Sequence, residues 1–146
     1  MALHLLKLCV GPETTGDLEA RIARNREAAL KEGRDPAPFH TTRMIPKRAG
    51  EIAGKGSIYW VIKGTLSCRQ AITAIEPFTG SDGIGRCRLM LDPQVRPVSP
   101  RACRPFQGWR YLAEHDVPAD LDRQTVGDLA QMPETLRREL VALGFI

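Results

Sequence analysis

One hundred and forty-six residues make one ordinary domain, because two halves would each be too small to bury a convincing core. Hydrophobic residues at 42% and charged residues at 26% sit at the globular norm and exclude long intrinsic disorder, collagen-like repetition and a coiled coil. The formal charge of +4 is unevenly spread: residues 34–110 hold 13 basic and five acidic side chains, a net of +8, and residues 111–146 hold three basic and seven acidic, a net of −4. This polarity points to a polyanion partner for the middle of the chain. The alternative is that the acidic tail folds back and neutralises it. No apolar run reaches the roughly 18 residues of a spanning helix, and the opening MALHLLKLCVG has neither an early basic cluster nor a small-residue cleavage site. Cys9, Cys68, Cys87 and Cys103 form no CxxC pair, so a reducing, cytoplasmic setting without membrane contact is expected.

Leu3 to Val10 is a short apolar run ended by Gly11-Pro12 and predicts a buried strand. Thr14, Thr15 and Asp17 are candidate caps for an amphipathic helix over 16–33, where Leu18, Ile22, Ala29 and Leu30 recur at helical spacing and Gly33 closes the end. Pro36 and Pro38 predict a loop from Arg34 to Thr42 that carries Phe39 and His40. Pro46 is placed to open a short basic helix running to Ala53, ended by Gly54-Lys55-Gly56.

The strongest strand signal is Ser57 to Lys63, dense in β-branched and aromatic residues. Gly64-Thr65 is read as the turn into a returning strand from Leu66 to Ile75, stopped by Pro77. Gly80 to Gly85 predicts a flexible turn and Arg86 to Leu91 a third strand. The prolines between Val95 and Pro105 force an extended, edge-like course. Phe106 to Leu112 is a final strand or turn, and Thr125 to Leu143 reads as one or two helices. The pattern is α+β. It predicts a small curved, mainly antiparallel sheet or barrel, flanked by the N-terminal helix, the short basic helix and a C-terminal helical tail. The whole chain, 1–146, is one domain, with a sheet core over 1–112 and an acidic tail over 113–146.

Two sets of residues carry a resemblance. The opening Leu3 to Gly11, together with Thr42-Arg43-Met44, Pro46-Lys47-Arg48, Tyr59 to Gly64 and Arg104 to Leu112, resembles an uncharacterised bacterial family of about this length, a domain of unknown function. The order of a small basic helix, a glycine turn, an aromatic strand ending in Lys-Gly and a returning strand ending in Ile-Glu is similar to PUA-like barrels, including the ASCH and EVE domains. In those families a glycine-led strand such as Gly56 to Gly64 precedes a strand such as Arg69 to Glu76. The likeness implies a cleft beside the barrel that binds RNA or a modified base.

The residues themselves point the same way. Arg101 to Tyr111 packs Arg101, Arg104 and Arg110 around Phe106, Trp109 and Tyr111, pairing forked donors for phosphate with flat faces for stacking. The alternative places Phe106 and Trp109 in the barrel and the arginines in solvent. Tyr59 and Trp60 point to opposite faces of a regular strand, so one is expected in the core and the other exposed or lining a pocket. Arg43, Lys47 and Arg48 cluster at the start of the short helix, where free amides favour anions.

His4 reads as a satisfied core or edge histidine, and His115 as a surface residue between Glu114 and Asp116. His40 is the histidine worth testing as an acid or base. No catalytic motif is recognised, and no metal site or cofactor is implied. The expected function is nucleic-acid binding, RNA or a modified base in preference to other nucleic acid. Arg43, Lys47, Arg48, Lys63 and Arg69 would hold phosphates, and Tyr59, Trp60, Phe106 and Trp109 would stack a base contacted by Arg104 or Arg110. The alternatives are an enzyme or sensor for a small phosphorylated ligand using His40 and Glu76 in the same cleft, and an adaptor that binds a protein partner through the acidic tail from Glu114 to Glu139.

Overall fold

The computed structural model describes residues 2–121. Its strands are β1 (Leu3–Leu8), β2 (Phe39–Thr42), β3 (Ser57–Ile62), β4 (Thr65–Thr79), β5 (Gly85–Leu91), β6 (Arg96–Ala102) and β7 (Trp109–Ala113), with one long helix, α1 (Thr15–Lys31), between β1 and β2. Single 3-10 turns cover Ala49–Glu51 and Glu114–Asp116. The fold is α+β, with a mixed, curved and open sheet in the order β2-β5-β4-β3-β1-β7; β6 pairs with β4. Every pairing is antiparallel except β1 with β3.

The longest strand, β4, shapes the sheet. Its first half pairs with β3, and the same residues, Thr65 to Arg69, pair with β6 on the opposite edge. Its second half pairs with β5. The backbone of Ile72 bonds to Gly54 and Gly56 at the entry to β3, while the Ala71 carbonyl accepts from Asp92. Because successive peptide groups point to opposite edges, β5 and β6 follow one another along the edge of β4 away from β3. Register shifts between Leu66 and Cys68 and between Ile72 and Ala74 bend the strand, as bulges do.

Every side chain of β3 is buried. Ile58, Trp60 and Ile62 enter one cluster with Leu3, Leu5, Leu18, Ile72 and Leu89. Tyr59 and Val61 enter a second with Leu66 and Val98, bordered by Leu6, Leu8 and Phe106. A strand covered on both faces needs no polar alternation, so both Tyr59 and Trp60 are core and neither is exposed, contrary to the alternation argument.

Helix α1 has the ends its sequence predicts. Thr14 Oγ1 accepts from the Asp17 amide at 3.0 Å. At the other end Gly33 takes a φ of 70°, and its amide and that of Arg34 donate back to Leu30 and Ala29, a Schellman closure. Leu18 and Ala29 are its buried residues.

Four expectations are corrected. The segment after Pro46 forms only the 3-10 turn Ala49–Glu51, since Gly50, Gly54 and Gly56 fall too densely for a longer helix. Phe39 and His40 lie on β2, an edge strand that covers the outer edge of β5. The hairpin turn is Lys63-Gly64, with φ of 48° and 76°, and not Gly64-Thr65; two positive φ values match the twist of a two-residue hairpin. Strand β4 runs through Pro77 to Thr79, because this half has only β5 beside it and proline is accepted where a donor is not needed. The helices expected over 125–143, and most of the acidic tail, lie outside the described residues.

The sheet rolls but does not close. Its two end strands are linked through the segment after β2: the Trp109 indole N–H donates to the Met44 carbonyl at 2.6 Å, and the Arg48 amide donates to Tyr111 Oη at 3.2 Å. His4 ties β1 to its surroundings, with Nδ1 accepting from the Ser57 amide at 2.9 Å and Nε2 bonded to Glu114. The donor at Ser57 fixes the proton on Nε2.

Gly56 is the tightest backbone approach in this arrangement. A Cβ there would overlap the Leu3 carbonyl oxygen, whereas one on Gly50 would meet nothing within 4 Å. Gly56→Ala is therefore expected to lose about 3 kcal/mol or more, and Gly50→Ala to stay within about 0.5 kcal/mol of the parent. Urea denaturation midpoints of the two variants check this; equal midpoints would contradict the packing of β1 against the entry to β3.

Candidate functional site

Strand β1 places Lys7 directly between two tryptophans. Lys7 is opposite Trp60 on β3 and opposite Trp109 on β7, and paired residues in adjacent strands project from the same face. This is the face that carries Leu3, Leu5 and Ile58, so a lysine occupies an inward position on an otherwise apolar face of β1. Lys7 is half-buried. Beside it the Trp60 indole N–H donates to Gln70 Oε1 at 2.9 Å, and Gln70 Nε2 donates to the Asp92 carbonyl at 2.9 Å. The floor formed by Trp60 and Gln70 is thus internally satisfied and rigid.

A cleft of about 520 Å³ opens above this floor, within the range of small-molecule sites. Helix α1 supplies one wall, with Arg21, Ile22 and Arg26; the segment from Arg34 to Phe39, held extended by Pro36 and Pro38, supplies the other. Arg21 is half-buried and anchored, donating to the Val10 carbonyl at 3.0 Å and lying 3.9 Å from Cys9 Sγ. Among the described residues, four cations, Lys7, Arg21, Arg26 and Arg34, line the cleft with one carboxylate, Asp35, and Arg34 is paired with Glu32 at 2.6 Å. The Asp35 carboxylate is occupied by the Ala37 amide at 2.9 Å.

His40 enters the cleft from β2. Its ring meets Trp60 edge-on, with centroids 5.5 Å apart. Its Nε2 is buried with no hydrogen-bond partner, the one such side-chain atom among the described residues. Burial, reinforced by the charges of Lys7 and Arg21, lowers its pKa to about 4. The ring is neutral at physiological pH and presents either a donor or an acceptor.

The remaining expected residues separate into four places. Arg43 and Lys47 are exposed on the segment that reaches β7, and Arg48 beside them is bound by both oxygens of Glu51, at 2.6 and 2.7 Å. On the other side of that seam Trp109 is buried, Arg110 lies over the Phe106 ring at 4.6 Å, and Arg104 is exposed on the approach to β7. Tyr59 lies under the opposite face, edge-on to His4 at 5.4 Å. Arg69 grips Asp120 with two bonds, at 2.8 and 2.7 Å, and donates to Ser57 Oγ at 2.8 Å. Lys63 pairs with Glu13 at 3.3 Å.

Of the expected set, Trp60 and His40 share the cleft. Glu76 does not join them. The register places His40 with Leu89 and Glu76 with Arg88, so these two side chains project from opposite faces of the sheet. Lys7, Arg21 and Gln70 line the cleft unforeseen. The available signal was the alternation Leu3, Leu5, Lys7, which sets a lysine on the inward face, and Arg21, which lies one turn from Leu18. The cysteines are free. Burial pushes the Cys68 thiol up to about 12 and raises Cys9 and Cys87, so these three are inert packing residues.

The chain belongs to a family described as a protein of unknown function (DUF1489), whose model matches residues 5–146. No curated protein and no solved structure matches it.

The state of His40 is directly measurable. Its folded pKa lies below the unfolded value near 6.5, so the fold binds protons less readily than the unfolded chain and loses stability as pH falls from about 6.5 toward 4. Histidine-selective NMR should place the His40 midpoint near 4. His40→Phe should flatten the acid limb of the stability curve over this window. A midpoint at the ordinary imidazole value would show that the ring is solvated and outside the cleft.

Proposed function

We propose that this member of the DUF1489 family is a nucleic-acid-binding module that takes RNA or a modified base in the cleft between α1 and the rolled sheet. One observation carries the reading: among the described residues, four cations, of which Arg34 alone is paired with a carboxylate, surround a cleft floored by tryptophan and lined by one acidic side chain. Cations supply the sequence-independent attraction to phosphate, and an aromatic surface supplies a face on which a base stacks. Phe39, 49% exposed at the rim, is the accessible stacking residue. Trp60, 3% exposed, serves as the fixed floor.

The flanking surface extends the path for a strand. Arg43 and Lys47 lie on the segment that meets β7, and Arg104 and Arg110 lie on or beside β7. Arg69 and Arg48 are already engaged by Asp120 and Glu51, so the reading assigns them to holding the fold. The succession of aromatic strand, tight Lys-Gly turn and returning strand, rolled beside a helix, supports a PUA-like reading of the open sheet. That likeness favours RNA over duplex DNA. A small phosphorylated ligand is the second reading, favoured by a cavity sized for one compact molecule and by the unpartnered Nε2 of His40.

Fluorescence anisotropy with single-stranded RNA, duplex RNA and duplex DNA at two or more salt concentrations tests the reading. Binding should weaken along a log-salt line, and each of Lys47→Ala and Arg110→Ala should reduce the slope by about 0.7. Phe39→Ala should weaken binding by on the order of tenfold through lost stacking. Absence of binding at low salt would refute the nucleic-acid reading.

A further inference from the structure

Four cationic side chains among the described residues are half-buried: Lys7, Arg21, Arg69 and Arg86. The other two of these have carboxylate partners in a two-bond grip, Arg69 with Asp120 and Arg86 with Asp82. Lys7 and Arg21 have no carboxylate within ion-pair distance among the described residues. A partly desolvated cation without a counter-ion is costly, and the cost is met when a ligand brings the missing charge. Both uncompensated cations line the same cleft, and so does His40, whose Nε2 also lacks a partner.

The geometry points to an oxyanion site formed by Lys7, Arg21 and His40 at the inner end of the cleft, built for the dianionic phosphate of a monoester. Charge decides between kinds of phosphate. A monoester carries about −1.5 to −2 at neutral pH and three strong acceptor oxygens, which matches two unpaired cations. An internal phosphodiester carries a single charge and would leave one cation uncompensated. The donors are available: Arg21 spends one N–H on the Val10 carbonyl and leaves others free, the Lys7 ammonium has three, and a neutral His40 ring can turn its proton onto Nε2 without breaking an existing bond. Trp60 and Trp109 on either side of Lys7 limit water around the site, which strengthens each of these contacts.

This inference rests on the cleft being the ligand site of the reading above, and it narrows that reading: a nucleic-acid strand would be held by its phosphorylated end, or the ligand would be a free mononucleotide. The test compares two single-stranded RNA oligonucleotides of identical sequence, one with a 5′-monophosphate and one with a 5′-hydroxyl, together with adenosine monophosphate and inorganic phosphate. Calorimetry measures affinity, and the His40 imidazole resonance reports occupancy.

The expected result is at least tenfold tighter binding of the phosphorylated oligonucleotide, a shift of the His40 resonance on adding phosphate, and loss of the preference in Lys7→Met and in Arg21→Gln. Equal affinity for the two oligonucleotides in the unaltered protein overturns this inference and leaves the RNA reading standing. A preference that survives in both variants also overturns it. Binding of adenosine monophosphate and phosphate but of neither oligonucleotide supports the site, identifies a free nucleotide as the source and removes the RNA reading. No binding of any probe removes both.

Discussion

The long strand β4 is the constraint on which the rest of the molecule depends. It pairs with β3 and β6 along one half and β5 along the other, and it accommodates these neighbours only by bending at its bulges. The bend rolls the sheet until its end strands face each other. Their remaining gap is spanned by two contacts, the Trp109 indole on the Met44 carbonyl and the Arg48 amide on Tyr111. A seam made of side chains instead of a backbone ladder leaves the interior face accessible beside α1, and the cleft is that access.

The same roll determines how charge is distributed. Arg69 and Arg86 fall where an acidic residue can reach them. Arg69 with Asp120 and Ser57 also fastens the segment after β7 over the second core cluster, joined there by the bridge from Val98 to Asp120. Lys7 and Arg21 fall inside the opening, where the lining contributes, among the described residues, a single carboxylate that is already bonded to backbone. The net +8 of the middle segment is therefore less informative than it looks in the sequence, because several of its members are consumed by ion pairs. The two cations that matter most lie within residues 1–33, where five basic and five acidic side chains balance.

The legible parts of the fold are those written in local chemistry. Thr14 and Gly33 bracket α1 because capping and a positive φ are local requirements. The β-branched and aromatic run of Ser57 to Ile62 declares a strand for the same reason. What is not legible depends on neighbours distant in sequence. Strand β2 exists because β5 offers it an edge, and Pro77 is tolerated because the second half of β4 has lost β3 as a partner. Trp60 and His40 were recognisable as candidates by residue type. Lys7 was not, since its meaning lies in being opposite Trp60 and Trp109, and a parallel pairing of β1 with β3 leaves no mark on a single sequence. The separation of His40 from Glu76 likewise follows from β-register alone.

The proposed binding site is the cleft beside α1, with the arginine-rich surface around β7 only extending the path of a bound strand. Chemical-shift mapping of the isotope-labelled protein during titration with a phosphorylated ribonucleotide tests it most directly. The largest changes are expected on Lys7, Arg21, His40 and the Trp60 indole N–H. Changes concentrated on Arg104 to Tyr111, with the cleft resonances unmoved, would contradict it.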